Sequence, residues 1–86
     1  MNKTMNAEME HPGVYIREEL EERGWSQVDL AYILKCPVQS INLIISGRRG
    51  ISTDMARALG VAFDVSAELL INLQRMYDLS RSETRA

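Results

Sequence analysis

Val38, Gln39, Ser40 and Asn42 crowd the start of one short segment, and two guanidiniums, Arg48 and Arg49, close it. The amides of Gln39 and Asn42 donate and accept hydrogen bonds, the Ser40 hydroxyl does both, and Val38 offers only apolar surface. Such a set suits a surface patterned with donors, acceptors and methyl groups, as the base-pair edges in the major groove of DNA are. Arginine pairs suit another partner, since a guanidinium fork binds phosphate oxygens through charge-assisted hydrogen bonds. Leu43 adds apolar surface and Ser46 a hydroxyl beside the arginines. Gln27 stands at the start of the preceding segment, next to backbone N–H groups able to hold a phosphate oxygen. Each residue also has a plainer reading. Ser and Gln are common solvated residues at a helix start, Arg48 and Arg49 are ordinary loop charges, and Val38 and Leu43 serve equally in a protein interface.

Catalysis and metal binding have little to work with. His11 is the single histidine and Cys36 the single cysteine, and neither has a conspicuous acid or serine partner, so no nucleophile and base pair up. One cysteine excludes an intramolecular disulfide and a CxxC-type zinc site, and it points to a reducing compartment. Packed inside, Cys36 behaves as a small hydrophobe. No enzyme activity, cofactor or metal is expected.

Net charge is −2 over 86 residues, which argues against a chain that is basic all over, but the charge is unevenly spread. Residues 1–23 carry three Lys/Arg against six Asp/Glu, whereas residues 24–51 carry Lys35, Arg48 and Arg49 against Asp29 alone. The basic segment is therefore the one holding the candidate contacts. The acidic run REELEER reads as a solvated face, with repulsion of DNA or attraction of a basic partner as its functional alternative.

At this length, with 45% apolar residues, the chain buries one small core. The first residues, MNKTMNAEMEHPG, contain no apolar signal region, and no segment approaches the roughly 18 apolar residues needed to span a bilayer, so a cytoplasmic protein is expected.

Five helices position these groups. Pro12 opens the first, which carries Ile16 and Leu20 inward and stops at Gly24. Ser26, with Asp29 three residues on, caps a second from about Gln27 to about Lys35, with Leu30, Ala31 and Leu34 inward. Pro37 begins a third, with Ile41, Ile44 and Ile45 inward and Gly47 as its stop. Ser52 caps a fourth with Met55, Ala58, Leu59 and Ala62 inward. Ser66 caps a fifth, AELLINLQRMYDL, with Leu69, Leu70, Leu73 and Met76 or Tyr77 inward. Trp25 reads as a staple between helices one and two, while Tyr32 and Ile33 fall outside the stripe of helix two. Residues 1–10 are expected to be a flexible segment, 11–79 the folded domain and 80–86 a flexible tail.

Two short helices joined by a turn fit a helix-turn-helix, whose second helix enters the major groove with its first residues on base edges. At this point the sequence becomes specific. SQVDLAYILKCPVQSINLIISGRRGIS resembles the helix-turn-helix of the Xre/Cro repressor class. Together with HPGVYIREEL, GRRGISTDMARALGVAF and NLQRMYDL it resembles the HigA antitoxin family, also called virulence-associated protein I, over about residues 11 to 79. The resemblance implies an all-α, five-helix, lambda-repressor-like domain, usually a homodimer, that binds operator DNA, represses its own operon and neutralises a ribosome-dependent mRNA-endonuclease toxin. The sequence departs from that family at Lys35, where glycine is usual, and at Tyr32, Ile33, Val38 and Leu43, where charged residues are common. A stand-alone or prophage Cro-like regulator without a toxin, and a degenerate helix-turn-helix serving only as a protein-interaction module, are the rival readings.

Overall fold

Capping chemistry decides where the helices begin. In a computed structural model, which describes residues 10–85, the elements are α1 (Pro12–Arg23), α2 (Gln27–Leu34), α3 (Val38–Ile45), α4 (Thr53–Phe63) and α5 (Ala67–Arg85). Four of the five starts have a side-chain acceptor. His11 Nδ1 accepts the Gly13 N–H at 2.9 Å, and Ser52 and Ser66 accept the N–H groups of Met55 and Leu69, each at 3.1 Å. Ser26 and Asp29 form the reciprocal capping box, with Ser26 Oγ accepting from Asp29 N at 3.0 Å and Asp29 Oδ2 from Ser26 N at 2.8 Å. Pro37 ahead of α3 provides no side-chain cap.

The helices pack as α1 on α3 and α5, α2 on α3 and α4, and α4 on α5. Ile16 and Leu20 of α1, Leu30 and Ala31 of α2, and Ile41 and Ile44 of α3 meet Leu59 and Phe63 of α4 and Leu70 of α5 in one core. Gly13 lets α1 and α3 touch. A Cβ there would fall inside the Ile44 carbonyl, so the HPG turn lies flat against the end of α3.

Three expectations change. Leu69 points outward, while α5 buries Leu70 and half-buries Leu73 as expected, and of the pair Met76 or Tyr77 it is Tyr77 that turns inward, with Gln74 half-buried beside it. An apolar stripe wider than one helix face leaves the inward set to the neighbours. Trp25 does more than staple α1 to α2, because its ring stacks on Phe63 of α4 with centroids 6.0 Å apart. Finally, α5 continues through residues 80–85, where a tail is expected. No Gly or Pro interrupts the helix there, and Ser80 is buried to 6% exposure. The expected flexible segment 1–10 lies, except for Glu10, outside the described residues. Among those residues, no helix is long and apolar enough to cross a membrane.

Candidate nucleic-acid interface

Lys35 makes the turn between α2 and α3. It sits in the left-handed region at φ 58° and ψ 47°, so the chain keeps a glycine-type turn with a lysine in it. The Cys36 N–H reaches back to the Ala31 carbonyl at 3.0 Å and the Lys35 N–H to that of Tyr32 at 3.2 Å, which closes the carbonyl end of α2. Cys36 itself is half-buried against the core.

With Ile41 and Ile44 buried, the opposite face of α3 stands free. Val38, Gln39 and Asn42 are exposed on it, one turn apart, and Ser46 continues the row. Ser40 and Leu43 are half-buried at its edge. Because Pro37 offers neither an N–H nor a side-chain cap, the first turn of α3 carries N–H groups without a side-chain acceptor. A second link fixes α3 against the start of α2: Asn42 Nδ2 donates to Oε1 of the half-buried Gln27 at 3.5 Å, a long bond. Asp29 occupies part of that helix start with its own carboxylate, so a phosphate held near Gln27 must share the site with a negative charge.

Arg48 and Arg49, both exposed, sit on a loop anchored at both ends. The Leu43 carbonyl accepts from Arg48 N at 2.9 Å, from Arg49 N at 3.1 Å and from Ser46 Oγ at 3.1 Å. At the far end, Gln74 Oε1 of α5 accepts the Ile51 N–H at 2.7 Å, and Gln74 Nε2 donates to Asp78 Oδ1 at 3.0 Å. Gly50 lies so close that a Cβ would come within 2.9 Å of the Gln74 amide. Behind the loop, the His11 ring meets Tyr77 edge-on, with centroids 4.8 Å apart, and lies beside Gly47. Burial lowers the His11 pKa from the usual 6.5, while the Asp78 charge and the Arg49 backbone bond pull it up and only partly offset that loss of solvent.

The structure thus brings Val38, Gln39, Asn42 and Ser46 onto one exposed row with Arg48 and Arg49 at its end. Gln27, Ser40 and Leu43 sit at its margin. Sequence reading misses the residue that holds the far end of this loop, Gln74, although the NLQ segment is the one sign of it. Other groups belong elsewhere. Arg23 Nη2 donates to the Phe63 carbonyl at 2.6 Å and Nη1 pairs with Glu19 at 3.0 Å, so the last charge of REELEER closes α4. Tyr32, 84% exposed, and Val28, 64% exposed, make an apolar patch on the outer side of α2. Among the described residues, no three His, Cys, Asp or Glu side chains gather where a metal ion would be held.

Comparison with known proteins gives a consistent set of likenesses. Residues 16–70 match the helix-turn-helix family. The chain is 39% identical over 72 residues to virulence-associated protein A′ of Dichelobacter nodosus, covering 83% of this chain and 63% of that protein. It therefore spans less than two thirds of that relative's length. Among solved structures, PA4674 of Pseudomonas aeruginosa in complex with its 18 bp operator DNA superimposes with a TM-score of 0.88 and 40% identity, over 93% of this chain and 85% of that one. The Pseudomonas aeruginosa antitoxin HigA with the higBA promoter superimposes with a TM-score of 0.85 and 42% identity, over 88% and 84% of the two chains.

Proposed function

The chain belongs to the helix-turn-helix family, and we propose that it is a sequence-specific DNA-binding antitoxin that represses its own operon. The observation that carries this reading is a free, polar-edged α3 face ending in two arginines, on a chain 42% identical to an antitoxin seen with its promoter. In this reading α3 lies in the major groove. Gln39 and Asn42 address base edges, with Ser40 beside them, and Val38 and Leu43 meet thymine methyls. Arg48, Arg49 and Ser46 hold phosphates on one side of the groove, and Gln27 with the start of α2 holds them on the other. The protein acts as a homodimer on a pseudo-palindromic operator, binds a cognate mRNA-endonuclease toxin and works in the cytoplasm. We assign it no catalysis, since His11 Nδ1 is spent on the Gly13 N–H. The exposed Tyr32 and Val28 favour a second reading, a module that meets only proteins.

A gel-shift of the protein on its own promoter, with and without the product of the neighbouring gene, tests the proposal. A specific complex is expected at nanomolar protein, roughly 10³-fold or more tighter than on unrelated duplex at physiological salt. Absence of binding to any duplex at low salt would replace this reading with the module.

A further inference from the structure

Leu43 of α3 holds the N–H groups of the two arginines, and the far end of their loop is held by α5, a helix outside the DNA-facing row. Loop 47–51 has no regular structure of its own. Its backbone is pinned at Ile51 N by Gln74 Oε1 of α5, at 2.7 Å and 23 residues away in sequence. Gln74 is in turn oriented by Asp78, one turn along the same helix, at 3.0 Å. Gly50 packs directly on the Gln74 amide, so that a Cβ there would have to displace it, and the His11 ring lies beside the loop at Gly47 and stands edge-on to Tyr77. A glutamine side chain that accepts a loop N–H while its own NH₂ is held by a carboxylate has one rotamer open to it, and it transmits that order to the loop.

We propose that Gln74, oriented by Asp78 and assisted by His11, is a positioning residue that holds the Arg48–Arg49 backbone in register for two DNA phosphates. Gln74 does not touch DNA. It fixes the backbone that carries the two cations, which lowers the ordering entropy lost when phosphates are gripped. The inference rests on the DNA-binding reading above and deepens it.

The test compares the whole protein with two variants on operator and unrelated duplex, over a range of salt. Gln74→Met keeps the side chain's length but can neither accept from Ile51 nor donate to Asp78. In the double variant Q74E/D78N, the carboxylate still accepts from Ile51 N and now also accepts from the Asn amide, with net charge unchanged. Gln74→Met is expected to weaken both duplexes alike, by about tenfold, and to reduce the slope of log K against log salt by about one to two, one per loosened phosphate contact. The double variant is expected to restore the slope. Melting temperature by circular dichroism shows that each variant is folded when binding is read. A wild-type slope in Gln74→Met overturns the inference, as does a double variant that fails alongside it, since packing alone would then explain the loss. Should wild type bind no duplex at low salt, the DNA reading falls and the inference with it, whereas the other two results overturn the inference alone.

Discussion

Gln39 and the arginine pair occupy the same surface, but their chemistry makes them fail differently. In the proposed reading the exposed Gln39 on α3 addresses a base edge, so Gln39→Ala is expected to cost about 1–3 kcal/mol on the operator and little on unrelated DNA. In the same reading Arg48→Ala or Arg49→Ala removes a phosphate contact and is expected to weaken every duplex alike and to lower the salt slope by about one. Fluorescence anisotropy at several salt concentrations separates the two, and loss of specificity in the arginine variants would reverse the assigned roles. His11 carries the residue-scale dependence on pH. Its pKa lies below the 6.5 of the unfolded chain, mainly through burial, so the folded state binds fewer protons than the unfolded one. Its contribution to stability is therefore whole above pH 6.5 and is lost as the pH falls from there through the folded-state value. His11→Asn keeps a helix-capping acceptor that does not titrate. Melting curves between pH 5 and 8 should show the wild type losing ground to this variant on the acidic side, and parallel curves would exclude His11 as the titrating group.

The turn between α2 and α3 is where local preference and tertiary demand pull apart. Lys35 is held at φ 58°, which a side chain tolerates at a cost, because the two helices on either side are each packed against the core. Lys35→Gly removes that strain but frees the unfolded chain, and the balance is expected to stabilise the fold by about 0.5–1 kcal/mol. For a domain of this size that is a rise in Tm of about 2–8 °C. A lowered Tm would mean that the lysine makes a compensating contact of its own. The same variant removes one positive charge beside the start of α3, so a weaker grip on DNA should accompany the gain in stability.

For the molecule as a whole, exposed apolar side chains occur on α2, α3, α4 and α5. Leu69, Met76 and Leu79 lie exposed along the outer side of α5, seven and three residues apart. Their spacing of about two turns and then one keeps them on one face of the helix, as the seam of a helix pair requires. A helix-turn-helix dimer must set its two recognition helices about 34 Å apart to meet successive major-groove turns, so the position of this seam decides which operators fit. Met76→Asp together with Leu79→Asp is expected to shift the sedimenting species from two chains to one at tens of micromolar, and to weaken operator binding more than binding to unrelated DNA. If wild type sediments as a single chain both alone and on operator DNA, the seam is elsewhere or absent. The same helix carries Gln74 and Tyr77 on its inner side, so on the proposed reading one element serves both the pairing of chains and the placing of the arginines.

Helix starts and stops were legible because their causes act within four residues. The Ser26–Asp29 box, the serine caps at 52 and 66 and the glycine stop at 24 are local hydrogen-bonding and dihedral preferences, and so are the inner rows Ile16 with Leu20 and Ile41 with Ile44. The α3 row was legible for the same reason, since a helix period places it without help from elsewhere, and the arginines were legible only as a pair following that row, because the loop that carries them is held at its far end by α5. Tertiary structure alone decided the rest. Which side of the wide apolar stripe of α5 turns inward depends on α1 and α4, and it left Leu69 and Met76 outside. Trp25 on Phe63, Arg23 on the Phe63 carbonyl and Gln74 on Ile51 N join residues 23 to 40 positions apart. Nothing in a glutamine, or in the residues flanking it, marks it as the partner of a distant N–H. Such a contact forms only after packing has brought the two backbones together, so its specificity resides in the assembled core and not in any local stretch of the chain.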